Sequence, residues 1–149
     1  MVKGLAALNR RLSAIPKAVR QAAQASVIKQ ANAIADLARN AAPEDDGDLK
    51  ESIVVTAGGE STPPYSQPGG RTVIPELGAA ITAGNGKVRY AHLVEFGSKG
   101  HPQGGKFKGT DHPGTSAQPF FWPAVRMMRK RTASAVKRAI SKAVKDTKK

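Results

Sequence analysis

The chain of 149 residues has no cysteine, which excludes disulfide frameworks and thiolate metal sites and is compatible with a reducing compartment. Long apolar runs are missing as well. The opening stretch Met1 to Leu8 is cut off by Arg10 and Arg11, too short for a signal-peptide core and far below the ~20 residues of a membrane span. The expectation is a soluble protein made in the cytoplasm, with no membrane partner. Aromatic residues are scarce, and they cluster. Tyr90 and Phe96 stand in one short block and Phe120, Phe121 and Trp122 in another, leaving Tyr65 and Phe107 elsewhere.

Acidic residues are also few, 11 against 24 Lys and Arg, for a formal net charge of +13. The excess sits at the two ends: residues 1–42 carry +6, residues 43–123 carry −2 and residues 124–149 carry +9. Like charges massed in this way suggest contact with nucleic acid or an acidic protein surface, because a polyanion offsets their mutual repulsion. Two solvated helix faces that only keep the protein soluble would give the same pattern. The length fits one domain over 1–149, large enough to bury roughly 68–70% of the unfolded chain's surface.

Along the chain, Leu8, Leu12, Ile15, Val19, Ala23, Val27, Ala31, Ile34 and Ala38 recur at intervals of three or four, the pattern of one apolar helical stripe. Pro16 cannot donate to the carbonyl of Leu12, so a short first helix or a kink precedes a main helix from about Pro16 to Ala41. The alanines of this helix form a thin face that another element can approach closely. Ala42-Pro43 ends it, since a residue before proline leaves the α region. Together, residues 1–42 form a helical arm.

Residues 43–97 read as a sheet region. In its opening turn Gly47 supplies the permissive backbone, and Asp46 or Asp48 would cap a short helical turn. Five of the 11 acidic residues lie here, but Asp45, Asp46, Asp48 and Glu51 lack the alternating spacing and closing bidentate Glu of a calcium loop. A capped, solvated turn is preferred to a metal site. Ile53 to Ala57 reads as a strand, residues 60–72 as loop, and Leu77 to Ala83 as a half-buried strand turned by Gly84-Asn85-Gly86-Lys87 into Val88-Arg89-Tyr90. After Tyr90 the pattern fits a continuing strand or one helical turn closed by Gly97, and the turn is preferred. Residues 98–117 are an extended Gly, Lys, His and Pro-rich loop, too long for an ordinary connection. In 118–149, Pro123 suits the first position of a basic C-terminal helix reaching about Lys145.

No catalytic set is visible. Gly100 to Phe107 approaches a phosphate-cradling loop, but Phe107 replaces the hydroxyl that would hold magnesium, Pro102 removes an amide and no helix pattern follows. His92, His101, His112, Asp111 and Glu95 have no metal-ligand spacing. Neither a cofactor nor a metal site is expected. Glu95, between Val94 and Phe96, is expected to be partly buried, and a buried carboxylate needs a cationic or hydrogen-bonding partner. A structural pair with an Arg, within the subunit or across to a neighbour, is preferred to catalysis. The C-terminal helix is basic enough for phosphates but lacks stacking aromatics and any readout motif, so nucleic-acid contact would be sequence-independent.

Three blocks occur in order: Ala42-Pro43 with Gly47, Leu49, Ser52 and Ile53 after a long helix; Tyr90-Ala91 with Val94-Glu95-Phe96-Gly97-Ser98; and Gln118-Pro119-Phe120-Phe121 with Pro123-Ala124. In this combination the chain resembles the siphophage neck and tail protein family typified by gene product ten of phage HK-ninety-seven. The resemblance implies a non-enzymatic virion protein of the neck or tail, acting in tail completion, head-tail joining or tail termination. It further implies a homo-oligomeric ring, a hexamer first among ring sizes, around the DNA passage, with neighbouring neck proteins and the tail tube protein as partners. Asp46 stands where the family usually has Thr, keeping a short capping oxygen. The 98–117 loop is long for the family, and is expected to reach a neighbouring ring or the tail tube.

The expected fold is α+β, a small antiparallel sheet of three to four strands packed by a long N-terminal helix and a basic C-terminal helix. Tyr90, Glu95, Phe96, Phe120, Phe121 and Trp122 are the candidates for an interface or fold edge. Arg126, Arg129, Lys130, Arg131, Lys137 and Arg138 are the candidate contacts with a polyanion or partner. The alternative function is a sequence-independent basic DNA-binding protein of nucleoid type.

Overall fold

A long helix α1 (Lys17–Ala41) opens the computed structural model, which describes residues 16–147. The short first helix expected over 5–15 lies outside the described residues. The carbonyl of Pro16 accepts the amides of Val19 and Arg20, so proline stands where its missing N–H is no loss. At the other end Ala42 is extended, with φ −66° and ψ 133°, as the following Pro43 demands.

Gly47, at φ +83°, turns the chain into a four-residue helix α2 (Asp48–Glu51). The expected side-chain cap is absent there; Asp48 instead holds Lys87 at 2.7 Å. Strand β1 (Val54–Ala57) pairs antiparallel with β2 (Ala79–Thr82), Val54 facing Thr82 and Ala57 facing Ala79. Between them residues 58–78 are loop, pinned by a bridge from Ser61 to Val73. Helix α3 (Ala91–Phe96) follows, then β3 (His101–Pro102), a 3-10 turn (Gly105–Phe107), β4 (Asp111–His112) and the long helix α4 (Phe121–Asp146).

The fold class is α+β, with a helix from each end of the chain and antiparallel strands between. The four strands form two separate pairs, β1 with β2 and β3 with β4, where one small sheet was expected. The hairpin expected at Gly84 to Lys87 does not form, for a local reason. The Asn85 carboxamide oxygen accepts the amides of Lys87 and Val88 at 2.9 Å each, and the Asn85 amide donates to the Val88 carbonyl. The chain reverses over residues 85–88 in a tight turn, but the expected strand from Val88 to Tyr90 does not form; β2 pairs with β1 alone, and Gln67 bridges to Ala83 just past its end.

One core cluster joins these pieces: Ile34, Ala35, Ala38 and Ala42 from the end of α1, Leu49 and Ile53 below them, Val88 and Ala91, and Phe120, Phe121, Ala124 and Met128 from the start of α4. Ala35 and Ala38 are completely buried. Their missing side-chain bulk lets α4 lie against α1, the most extensive packing of any two elements. The last turns of α1 share the core with the first turns of α4, so the two helices run side by side in opposite directions. Arg39, bonded to Asp36, also donates through Nε to the Ile53 carbonyl at 3.1 Å, tying the helix to the approach to β1.

Candidate assembly surface

Glu95 sits on α3 and is 5% exposed. Its Oε2 accepts the backbone amides of Phe120 and Phe121 at 2.8 Å each, and its Oε1 accepts that of Trp122 at 3.0 Å. A helix leaves its first four amides without intrahelical partners. Here Phe120 is the N-cap and Phe121 and Trp122 the first two helical residues, so Glu95 satisfies three of the four. Pro123 occupies the remaining position and has no amide to satisfy. The expected partner for this carboxylate was an Arg; the structure supplies main-chain amides and the positive end of α4. Pro123 is correspondingly the third residue of α4, not the first.

This cap also closes the base of residues 98–117. Gln118 donates to the Val94 carbonyl at 2.8 Å, and Ser98 and Thr115 exchange backbone bonds of 3.0 and 3.1 Å. Gly97, at φ +73°, lies so close to the returning strand that a Cβ would stand 2.7 Å from the Thr115 carbonyl oxygen. The loop is thus a stalked arm. His101 faces His112 across β3 and β4, their rings stacked 5.2 Å apart. Phe107 stands on the 3-10 turn at 66% exposure.

Of the expected edge residues, Phe120 and Phe121 are core, Trp122 is half-buried, and Tyr90 and Phe96 are exposed. Phe121 meets both aromatic neighbours edge to face. Leu93, which sequence reasoning passed over, is also exposed; its spacing of three from both Tyr90 and Phe96 is the signal that could have found it. These three make an apolar ridge along α3. On one side lies a cavity of about 130 Å³ lined by Phe96, Phe121, Trp122 and Pro68. On the other is a groove of about 420 Å³ with Pro43, Tyr90, Leu93 and Val94 among its walls.

Arg126, Arg129, Lys130, Arg131, Lys137 and Arg138 are all exposed on α4. Among the described residues none of them makes an ion pair; the pairs present are Arg39 with Asp36, Lys50 with Glu44 and Lys87 with Asp48. The hydrogen-bonded ammonium of Lys50 lowers the Glu44 pKa, and that of Lys87 is raised by its bond to Asp48. Among the described residues no three His, Cys, Asp or Glu side chains gather to hold a metal ion. His92 lies on α3 while His101 and His112 are in the arm. Lys106 sits in the 3-10 turn, which β4 follows where a phosphate loop requires an α-helix.

Residues 6–97 match the family described as "Bacteriophage HK97-gp10, putative tail-component". The chain belongs to this family. The match takes in α1, β1, β2 and α3 and stops at Gly97, so the arm and α4 lie beyond it. The resemblance in the block from Gln118 to Ala124 therefore stands outside the matched region. No curated protein and no solved structure matches the chain. Among the described residues no helix is long and apolar enough to cross a membrane. In this HK97-gp10-like chain, Glu95 is the link between the family region and the rest, because its carboxylate holds the first residues of α4.

Proposed function

We propose that this chain is a non-enzymatic structural component of the phage virion, working at the head-tail junction in tail completion, joining or tail termination. It assembles into a homo-oligomeric ring, a hexamer, around the DNA passage, and meets neighbouring neck proteins and the tail tube. Membership of a tail-component family carries this reading. The exposed ridge of Tyr90, Leu93 and Phe96 adds to it, since such apolar surface is suited to protein partners.

Electron microscopy of a lysate from the parent phage with this gene removed tests the role. Normal-length tails beside DNA-filled heads are the expected result for joining or completion, and overlong tails that for length termination. Intact infectious particles would overturn the reading.

A second reading, sequence-independent DNA binding, is favoured by the exposed cations of α4. It requires DNA affinity that falls steeply as salt rises, because binding to phosphates is driven by counterion release.

A further inference from the structure

The two charged regions of this chain lie at opposite ends of α4. The acidic turn from Glu44 to Glu51 follows α1 directly, and its Leu49 shares the core with Phe120 and Phe121. Lys137 and Val144 lie about 24 and 35 Å along the helix from Phe121 at ~1.5 Å per residue. That separation exceeds the Debye length of about 10 Å at 0.1 M salt. The acidic turn therefore does not neutralise the far half of its own α4.

Each region is also more than charge. On α4, Val136, Ile140 and Val144 recur every four residues and fall on one face. Val136 is half-buried, and Ile140 and Val144 are each 36% exposed. Lys137 borders this strip and Lys130 lies two turns before Lys137 on the same side of the helix; both are exposed. At the other end, the groove between α3 and the arm has Pro43, Tyr90, Leu93 and Val94 on its apolar side and Ser98, Thr115 and the stacked His101 and His112 on its polar side. The chain leaving Pro43 is Glu44, Asp45 and Asp46, all exposed. Glu44 is taken by Lys50, whereas Asp45 and Asp46 have no ion pair among the described residues.

We infer that α4 from Lys130 onward in one copy docks into the groove between α3 and the arm of the next copy, with Val136, Ile140 and Val144 against the wall of Pro43, Leu93 and Val94 and with Lys130 and Lys137 facing Asp45 and Asp46. A basic-edged apolar strip and a groove whose Pro43 wall leads straight into an acidic turn, on different surfaces of the same chain, make a heterologous contact, which closes a ring when the rotation between copies allows. The strip decides for protein over DNA, because phosphates offer nothing to Ile140 and Val144. The docking rests on the ring reading proposed above and names the surfaces that would build it.

The test uses the full chain and two variants altered at exposed positions, Lys130→Glu with Lys137→Glu, and Asp45→Lys with Asp46→Lys. Self-association is followed by sedimentation velocity and native mass spectrometry over a concentration series, with circular dichroism melts to verify folding. The parent is expected to form closed oligomers, and each folded variant to associate at least about tenfold more weakly, a change of about 1.4 kcal/mol. An equimolar mixture of the two variants should recover assembly as alternating rings, since each then meets a complementary neighbour. If the parent assembles and both folded variants assemble equally well, the contact is elsewhere, the docking is overturned and the ring reading stands. A parent that stays monomeric throughout overturns both, and salt-sensitive DNA binding by that monomer, lost in the lysine variant, would assign the strip to nucleic acid.

Discussion

Glu95 and Pro123 between them account for all four amide positions at the start of α4: the carboxylate accepts from Phe120, Phe121 and Trp122, and the proline has no amide to offer. The buried carboxylate thereby joins α3 to a helix 26 residues long and brings together the two ends of a 20-residue excursion. Its charge is offset by three donors and by the positive end of the helix dipole. Glu95 is therefore a structural residue, and catalysis is not needed to explain it.

Glu95→Gln tests this arrangement. A carboxamide has one acceptor oxygen and would turn an NH2 group toward backbone donors. The substitution should cost about 2–4 kcal/mol, the scale of losing charged hydrogen bonds and leaving buried amides unpaired, read as a lower urea midpoint. An unchanged midpoint would show that the α4 amides have other partners.

The aromatic residues divide by burial, and their variants should divide likewise. Phe120 is 1% exposed, so Phe120→Ala should lose about 3–5 kcal/mol. Phe96 is 67% exposed, so Phe96→Ala should keep stability within about 0.5 kcal/mol while weakening incorporation into particles. Thermal melts give the first quantity and particle composition the second. Equal stability losses in the two variants would contradict the division.

Ser52 is 2% exposed; its hydroxyl donates to the Leu49 carbonyl at 2.7 Å and accepts the Gly84 amide at 3.0 Å. Ser52→Ala should cost about 1–3 kcal/mol because the Gly84 amide is left buried without an acceptor. Chemical denaturation measures the loss. Hydrogen exchange at Gly84 should accelerate with it.

Gly97 has a positive φ and a Cβ direction that runs into the Thr115 carbonyl. Gly97→Ala should destabilise by more than about 1 kcal/mol, through strain at a left-handed φ together with the close approach. Exchange protection at the Ser98 and Thr115 amides is expected to fall before that of the core of α1. If those amides stay as protected as in the parent, the foot of the arm tolerates the Cβ.

Much of the architecture was legible in local signals. The stripe from Val19 to Ala38 and the break at Pro43 marked α1 within a residue of its observed bounds, and the turn from Ala91 closed by Gly97 was read from spacing alone. Strands β1 and β2 were located but not their pairing with each other, because alternation marks a half-buried strand without saying which neighbour takes its hydrogen bonds; Val88 to Tyr90 forms no strand, and β3 and β4 lie in a segment that read as loop. At Asn85 a side chain that satisfies two backbone amides holds a tight turn with no ladder after it, and no dipeptide rule for hairpins includes that competition. The histidine pairing in the arm was likewise unreadable, because it depends on which residues of a Gly and Pro-rich segment come opposite one another.

What the amino-acid order determined by itself is what depends on neighbours a few positions apart: two amphipathic helices, the first bounded by prolines, a charge distribution with basic termini and an acidic turn, and a burden of polarity on Glu95 that some partner had to meet. Tertiary structure alone decided who that partner was. A cation and a set of helix-end amides both offset a buried carboxylate, and only the packing of α3 against the start of α4 put three N–H groups within 3.0 Å of Glu95, removing the need for an arginine.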